Sequence, residues 1–538
     1  MSGPQELAQQ SDAPPAPTVD PRVAGVLLVG FEGTTAPDWV RRWAAQGLAG
    51  VCLFARNCLS PEQVAALVAS LRAERPELLV AIDEEGGAVT RLEAQTGSTL
   101  PGNAVLGVLD DPAATSAAAA VAADRLRAVG IDLNLAPVAD VNVNPRNPVI
   151  GTRSFGADPE LVARHVAAYV QGLQSRGVAA CAKHFPGHGD TSVDSHVGVP
   201  TVDHDRVTLE EVDLAPFRAA VSAGSRAIMT AHLHVPALDS ALATLSRPIL
   251  TGLLRESLGF SGVIATDALE MRAVAGTVGI AEGAALSLAA GADLVCTGLR
   301  QAPGQLAADG LLRALEDGRL AASRLEEARA RVRDLAAWCL AGRQARYADP
   351  PHLDLVQVVR GAAVRHDPHG RLPLSAPVVV AEVSSPVFTG TGGAGAQLGP
   401  ALAVRLDGHA AGGAGAGQPA RSSAEAVESG SVVAGPLVAG PVVTGPVVTV
   451  PVHGEPARVG EALAAARDAA LVAVVRDLST APASREALDR LLAERPDTVV
   501  VLTGLPGDVS LLPPGCAHVA VHAPGATHLA VAAELLTR

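Results

Sequence analysis

A (β/α)8 TIM-like barrel followed by a smaller α/β layered C-terminal domain is the fold class this sequence predicts, on three observations. Between about residues 22 and 300, eight short, near-continuous apolar runs alternate with stretches rich in Ala, Leu and Arg at helical spacing. Polar residues gather just after the C-terminal ends of several runs, as in a closed barrel; a doubly wound open sheet, the competing arrangement, feeds its ligand from few strands. Finally, the chain has 538 residues, and cores stop growing at about 250–300 residues, so a second unit is expected.

The expected strands are Val23–Phe31, Gly50–Ala55, Leu78–Asp83, Asp132–Ala136, Val178–His184, Ala227–His232, Gly262–Thr266 and Ala292–Thr297. Each is apolar along its length, which suits parallel strands covered on both faces. Ser60 followed by Pro61, and Asp158 followed by Pro159, read as N-caps with proline at the first helical position, opening helices over Pro61–Arg75 and Pro159–Ser175. Pro248–Leu258 and Ile280–Ala290 also carry apolar residues at helical spacing, and 306–345 continues as one charged amphipathic helix. The barrel is therefore expected over 22–345, after a disordered tail at 1–21. A linker at 346–371 and a degenerate α/β domain at 372–538 complete the chain.

Within that last domain, Pro377–Val383, Leu471–Val475, Thr498–Thr503 and Val519–His522 read as strands. Val459–Ala469, Ser484–Glu494 and Ala526–Thr537 read as helices. Gly390–Gly417 is Gly/Ala-rich and expected to be flexible. Over Val432–Pro451 a five-residue repeat places proline at every fifth position, which argues against both helix and central strand, so an extended low-complexity insertion is expected.

Composition narrows the function. The net charge of −14, without any basic run, argues against nucleic acid and against an anionic membrane surface. A neutral or small substrate fits better. Six cysteines stand far apart with no CxxC pair, as expected of buried thiols in a reducing compartment. The first residues lack a basic stretch followed by an apolar one, and no run of about 20 apolar residues occurs, so neither a secretory signal nor membrane insertion is expected and the cytoplasm is the anticipated location.

The densest chemistry lies in Lys183-His-Phe-Pro-Gly-His-Gly-Asp-Thr-Ser-Val-Asp-Ser-His196, a loop hung on the fifth strand. Lys183 is the only lysine in the chain. Three readings compete: a metal site built from His184, His188, His196 and an Asp; a solvated polar loop; and an acid/base site. The third has a geometric basis, because Asp194 and His196 leave the same side of an extended segment, and a carboxylate beside an imidazole sets its tautomer and basicity. At the end of the seventh strand stands Asp267, where a carboxylate could attack an anomeric carbon, or serve only as a cap or ion-pair partner.

Taken together, these residues resemble glycoside hydrolase family three, specifically its β-N-acetylhexosaminidase branch. The resemblance rests on Lys183-His184-Phe185-Pro186-Gly187-His188-Gly189-Asp190-Thr191 with Asp194-Ser195-His196. Asp83-Glu84-Glu85-Gly86-Gly87 with Arg91, Arg153-Ser154-Phe155-Gly156, and Thr266-Asp267 support it. It implies Asp267 as nucleophile, His196 as acid/base and Asp194 as its dyad partner, with Asp83, Arg91, Arg153, Lys183 and His184 gripping the sugar. It further implies a retaining exo-β-N-acetylglucosaminidase acting on a small carbohydrate, with peptidoglycan fragments ahead of chitooligosaccharides, and no cofactor or metal. A phosphorylase, or an inactive sugar-binding relative, are the alternatives. Where the family commonly has Gln and often a second acid, this sequence has Glu84 and Ala268. A compact ammonium suits a sugar hydroxyl better than a planar guanidinium, which accounts for the single lysine.

Overall fold

The structure is a computed structural model that describes residues 18–194, 198–298, 300–349, 353–375, 377–383, 398–411, 442–444, 447–452, 455–476 and 478–538. Eight parallel strands form the first sheet: β1 (Leu27–Gly30), β2 (Gly50–Leu53), β3 (Leu79–Ile82), β4 (Leu133–Asn134), β5 (Ala179–Phe185), β6 (Ala227–Thr230), β7 (Val263–Ala265) and β8 (Val295–Thr297). Their order is β8-β1-β2-β3-β4-β5-β6-β7. A parallel bridge from Ala265 to Leu294, with Thr266 N–H donating to the Leu294 carbonyl at 2.9 Å, joins β7 to β8 and closes the ring.

All eight strands are buried along their length, and alternation sorts their side chains. Leu28, Cys52, Leu79, Ala81, Leu133, Cys181, Met229 and Cys296 fill the barrel interior, while Leu27, Val29, Val51, Val80 and Ile228 face the surrounding helices. With only 2% aromatic residues, that interior is built from Leu, Ala, Val and thiols. All six cysteines are free and buried.

The two capped helices form where their caps direct. Ser60 Oγ accepts from Gln63 N–H at 3.2 Å, and Asp158 accepts from Glu160 and Leu161 N–H, each at 2.9 Å. The single helix expected over 306–345 is two helices, Gln301–Glu316 and Ala322–Gln344, parted where Gly318 takes φ +78°. The second is more than an outer layer. Val332, Leu335, Ala336 and Cys339 join the barrel-interior cluster, so this helix stops the N-terminal end of the barrel. Arg324 and Arg331 reach from it to the fully buried Asp293, at 2.6 and 3.1 Å, where Arg255 also pairs.

The second sheet has seven strands: β9 (Val364–His366), β10 (Val378–Glu382), β11 (Val442–Thr444), β12 (Val447–Pro451), β13 (Ala470–Val475), β14 (Val499–Leu502) and β15 (His518–Ala520), ordered β9-β15-β14-β13-β10-β12-β11. Only the edges, β9 and β11, run antiparallel to their neighbours. The helices Pro456–Ala465, Pro482–Glu494 and Ala526–Thr537 form within a few residues of where the apolar spacing puts them.

Four stretches differ from expectation. The end of the pentapeptide repeat is ordered sheet, with β12 in register against β10 from Val378↔Val447 to Glu382↔Pro451. Proline every fifth residue leaves runs of Val and Thr whose N–H groups pair, and Pro451 falls at the last strand position; residues 432–441 lie outside the described residues. In the Gly/Ala-rich stretch, Leu398–Ala411 is a helix, because Leu398, Leu402 and Leu406 recur at four-residue spacing and are buried. The remainder of Gly390–Gly417 is outside the described residues. The expected linker carries a helix, Leu355–Ala362, capped by Asp354 and burying Val358 and Val359, followed by β9. Of the expected N-terminal tail, 18–21 are described, and Asp20 caps a short helix starting at Pro21. Among the described residues no helix is long and apolar enough to cross a membrane.

Asp293→Ala would leave three arginines facing an apolar interior without their carboxylate. Breaking such a buried cluster costs about 3–5 kcal/mol, and urea unfolding is expected to show a loss of that size. Because the cluster lies at the end of the barrel away from the mouth, activity measured at low temperature should survive.

Candidate active site

The C-terminal ends of the barrel strands open on one cavity. Asp83 and Arg91 line it after β3, Arg153 after β4, Lys183 and His184 from the end of β5, Asp194 from the following loop, and Asp267 after β7. Leu28, Cys52, Leu135, Met229 and Cys296 form its apolar floor. Seven of the eight site residues expected from the sequence therefore share one cavity, although they span residues 83–267; His196 lies outside the described residues.

Charge in the cavity is organised around Lys183. Its ammonium stands 2.6 Å from Asp83 Oδ1 and 2.7 Å from Glu85 Oε1. Glu85 in turn accepts two bonds from Arg153, at 2.8 and 2.9 Å, in a fork-on-fork pair. Arg91 reaches the other oxygen of Asp83 at 3.4 Å. Burial opposes ionisation of every member, yet the partners prevail. Lys183 and Arg91 hold the Asp83 carboxyl below its ordinary value, Arg153 and Lys183 push Glu85 far below it, and Asp83 and Glu85 raise Lys183. The cluster is charged at neutral pH, and its oxygens and N–H groups edge the cavity.

The long loop is pinned from beneath by Asp140. Its Oδ2 meets His184 Nδ1 at 2.8 Å, and its Oδ1 accepts the backbone N–H of His184 (3.2 Å) and of His188 (2.7 Å). The Asp140 contact leaves His184 Nε2 on the cavity side as the ring's remaining polar atom. His188 Nδ1 bonds Thr191 Oγ1 at 2.7 Å, and burial pushes this imidazole down to about 4, so it is neutral at physiological pH. Gly189 follows because backbone passes too close for anything else: a Cβ there would stand 1.8 Å from the Val141 carbonyl oxygen. On the opposite wall, Asp267 Oδ1 accepts from Ala268 N–H at 2.7 Å, and His232 Nε2 donates to the Ala268 carbonyl at 3.1 Å, fixing the backbone that follows the carboxylate. Among the described residues, no group of three His, Cys, Asp or Glu side chains is arranged to hold a metal ion.

This geometry has relatives. Residues 18–335, more than half of the chain, match the family model described as the glycosyl hydrolase family 3 N terminal domain. The chain belongs to glycosyl hydrolase family 3. Beta-hexosaminidase from Chromobacterium violaceum is 43% identical over 295 residues, which is 53% of this chain and 82% of that one. Beta-hexosaminidase from Neisseria meningitidis serogroup C is 42% identical over 254 residues, 46% of this chain and 70% of that one. With beta-hexosaminidase A of Pseudoalteromonas piscicida, at 39% identity, the match spans less than half of either chain, 45% of this one and 44% of the other. Among solved structures, a glycoside hydrolase family 3 β-N-acetylglucosaminidase from Paenibacillus sp. str. FPU-7 is 32% identical with a TM-score of 0.82, covering 97% of both chains. The likeness to that glycoside hydrolase thus includes the second sheet as well as the barrel.

Two residues of this family 3 site escaped the sequence reading. Glu85 was legible in principle: in an extended Asp83-Glu84-Glu85, the first and third side chains share a face, while Glu84 turns away to accept the N–H groups of Arg91 and Leu92 at 2.9 and 3.1 Å. Asp140 also left a signal, as a lone acid within the apolar run Leu135–Val141, where a charge needs a partner.

Because Asp83 and Glu85 titrate below their unfolded values, the stability they contribute is complete above about pH 5 and is lost as the pH falls through their folded values. Thermal unfolding between about pH 5 and 3 should therefore depend less steeply on pH in Glu85→Gln than in the wild type.

Proposed function

We propose that the protein is a retaining exo-β-N-acetylglucosaminidase acting in the cytoplasm, with peptidoglycan-derived fragments as its substrates. One observation carries the reading: Asp194 and Asp267, from the loops after β5 and β7, line the same cavity as the Lys183–Asp83–Glu85–Arg153 cluster. A carboxylate is thus available beside a polar grip suited to sugar hydroxyls, with the acid/base loop on the same cavity. The names carried by the relatives, beta-hexosaminidase and β-N-acetylglucosaminidase, support the acetamido sugar as substrate.

In this mechanism the ionised Asp267 attacks the anomeric carbon from the face opposite the leaving group. His196, oriented by Asp194, gives its proton to the departing oxygen, and the β-linkage becomes an α-linked glycosyl ester. The neutral imidazole then takes a proton from water, which releases the sugar with its original configuration. Arg153, Lys183 and His184 hold the ring while the anomeric carbon moves between the two oxygens.

Asp267→Ala is expected to lose more than about 1,000-fold in kcat with the fold intact by circular dichroism. His196→Ala should lose far more on a disaccharide than on an activated aryl β-N-acetylglucosaminide, since a good leaving group needs no proton; equal losses would remove His196 from the acid role. Proton NMR of the first product reports retention. The same assay with phosphate present checks for a sugar 1-phosphate, whose appearance would replace hydrolysis by phosphorolysis. Parallel product analysis on a peptidoglycan fragment and on chitobiose assigns the substrate class.

A further inference from the structure

The pairing of β4 with β5 continues beyond the end of β4 and places Asp140 against His184. Val138 forms a parallel bridge with Lys183, and Ala139 N–H donates to the Lys183 carbonyl at 2.6 Å. Ser154 Oγ donates to the Asp140 carbonyl at 2.6 Å and holds the backbone there. The Asp140 side chain is fully buried, and its two oxygens have different partners. Oδ1 accepts the backbone N–H of His184 at 3.2 Å and of His188 at 2.7 Å, while Oδ2 meets His184 Nδ1 at 2.8 Å. A carboxylate oxygen can only accept, so Nδ1 carries a proton.

We propose that Asp140 is a positioning residue that fixes the tautomer of His184, so that Nε2 presents a lone pair to the cavity and accepts the proton of a substrate hydroxyl. This rests on the function proposed above.

The neighbouring groups explain why an acceptor is needed at this point. Lys183, Arg91 and Arg153 can only donate. The carboxylate oxygens beside them are already engaged. Lys183 meets Asp83 Oδ1 and Glu85 Oε1, Arg91 meets Asp83 Oδ2, and Arg153 takes both oxygens of Glu85. Asp194 and Asp267, the other carboxylates on the cavity, belong to the proposed chemistry. A hydroxyl both donates and accepts, so a grip built from cations leaves its proton to be placed. His184 lines the cavity, and among the described residues its Nε2 has no partner. A second proton on that nitrogen would add a fourth cation to a wall that already carries three.

Asp140→Asn isolates the effect. Two backbone N–H groups point at the Oδ1 position and require an acceptor, so the amide oxygen of the variant takes that place. The amide NH2 then faces His184 Nδ1 and donates to it. Nδ1 becomes the acceptor, the ring proton moves to Nε2, and His184 turns from acceptor to donor without changing its position. The backbone contacts that hold the loop are kept.

The experiment compares the full-length wild type with Asp140→Asn, His184→Ala and the double variant, on chitobiose and on aryl β-N-acetylglucosaminides in which fluorine replaces the 3-, 4- or 6-hydroxyl. Fluorine cannot donate a proton. In the wild type one fluorinated substrate should lose about 10- to 100-fold more in kcat/KM than the other two. In Asp140→Asn, kcat/KM on chitobiose should fall about 10- to 100-fold, and the excess penalty on that fluorinated substrate should shrink below about threefold. In the His184→Ala background, Asp140→Asn should cost less than about threefold more, because it acts through the ring. Nitrogen-15 NMR of the histidine rings reads the tautomer directly. The signal that His184→Ala removes should show a protonated Nδ1 and a bare Nε2 in the wild type, and the reverse in Asp140→Asn. A protonated Nε2 in the wild type, equal penalties for the fluorinated substrates, or an undiminished loss in the His184→Ala background would each overturn the proposal. If Asp140→Asn fails to fold, the wild-type spectrum and the fluorinated series decide. Asp267→Ala separates the two readings. Turnover surviving in that variant removes the proposed function, whereas an inactive Asp267→Ala beside a protonated Nε2 in the wild type removes only the role of Asp140.

Discussion

The site depends on a buried ammonium. Moving a lysine charge out of water is expensive unless opposite charge and hydrogen bonds replace the solvent, and Lys183 achieves this by touching Asp83 and Glu85 at once. The two acids come from the end of β3 and the lysine from β5, so the ion cluster reaches across β4 and ties together three neighbouring strands at the mouth. Its third side is Arg153, which follows β4 and grips Glu85 with two bonds. Two carboxylates balance Lys183 and Arg153, and Arg91 adds a further positive charge at the rim beside Asp83. The cavity therefore offers fixed donors and acceptors already oriented, which lowers the cost of ordering them around a polar ligand.

The identity of that central cation follows from shape. Lys183 meets two carboxylates on different sides of one nitrogen, a task for a compact tetrahedral head; Arg153 meets one carboxylate edge-on, a task for a planar fork. The chain uses arginine wherever a fork serves, including the three arginines on Asp293 and the pair on Asp132. It keeps its one lysine where a fork does not fit.

The barrel was legible because its signals are local. Each strand falls on one of the expected apolar runs, though the first is only Leu27–Gly30, with Val23 and Ala24 in a helix, and Ser60, Asp158 and the prolines after them mark helix starts by their own chemistry. Most of the site was legible too, since its residues fall at strand ends and in one dense loop. Glu85 and Asp140 were harder to find because their roles exist only through distant partners: Glu85 needs Arg153 and Lys183, and Asp140 needs the loop 44 residues onward. In the second domain, composition misled for a related reason. Proline at every fifth residue speaks against a central strand in isolation, but β12 is held between β10 and β11, and Val447 and Val450 are buried by the sheet they join. Tertiary packing outweighed the local preference there, as it did for the helix Leu398–Ala411.

The two domains are also linked near the site. Thr527, in the first turn of the last helix, donates to the Thr99 carbonyl at 3.0 Å, and Gly87 N–H donates to the neighbouring Leu100 carbonyl at 3.1 Å. Gly87 in turn closes the segment that begins with Asp83. The second sheet thus supports, two contacts removed, the turn on which both carboxylates of the ion cluster stand. Among the described residues, none of that domain lines the cavity; what it supplies is a fixed surface. A cluster whose distances must hold within a few tenths of an ångström gains from such backing, since a β3–helix loop left unsupported would be the least constrained of its attachments. The barrel brings the charges together, and the outer domain restricts how far the acidic turn can move away from Lys183.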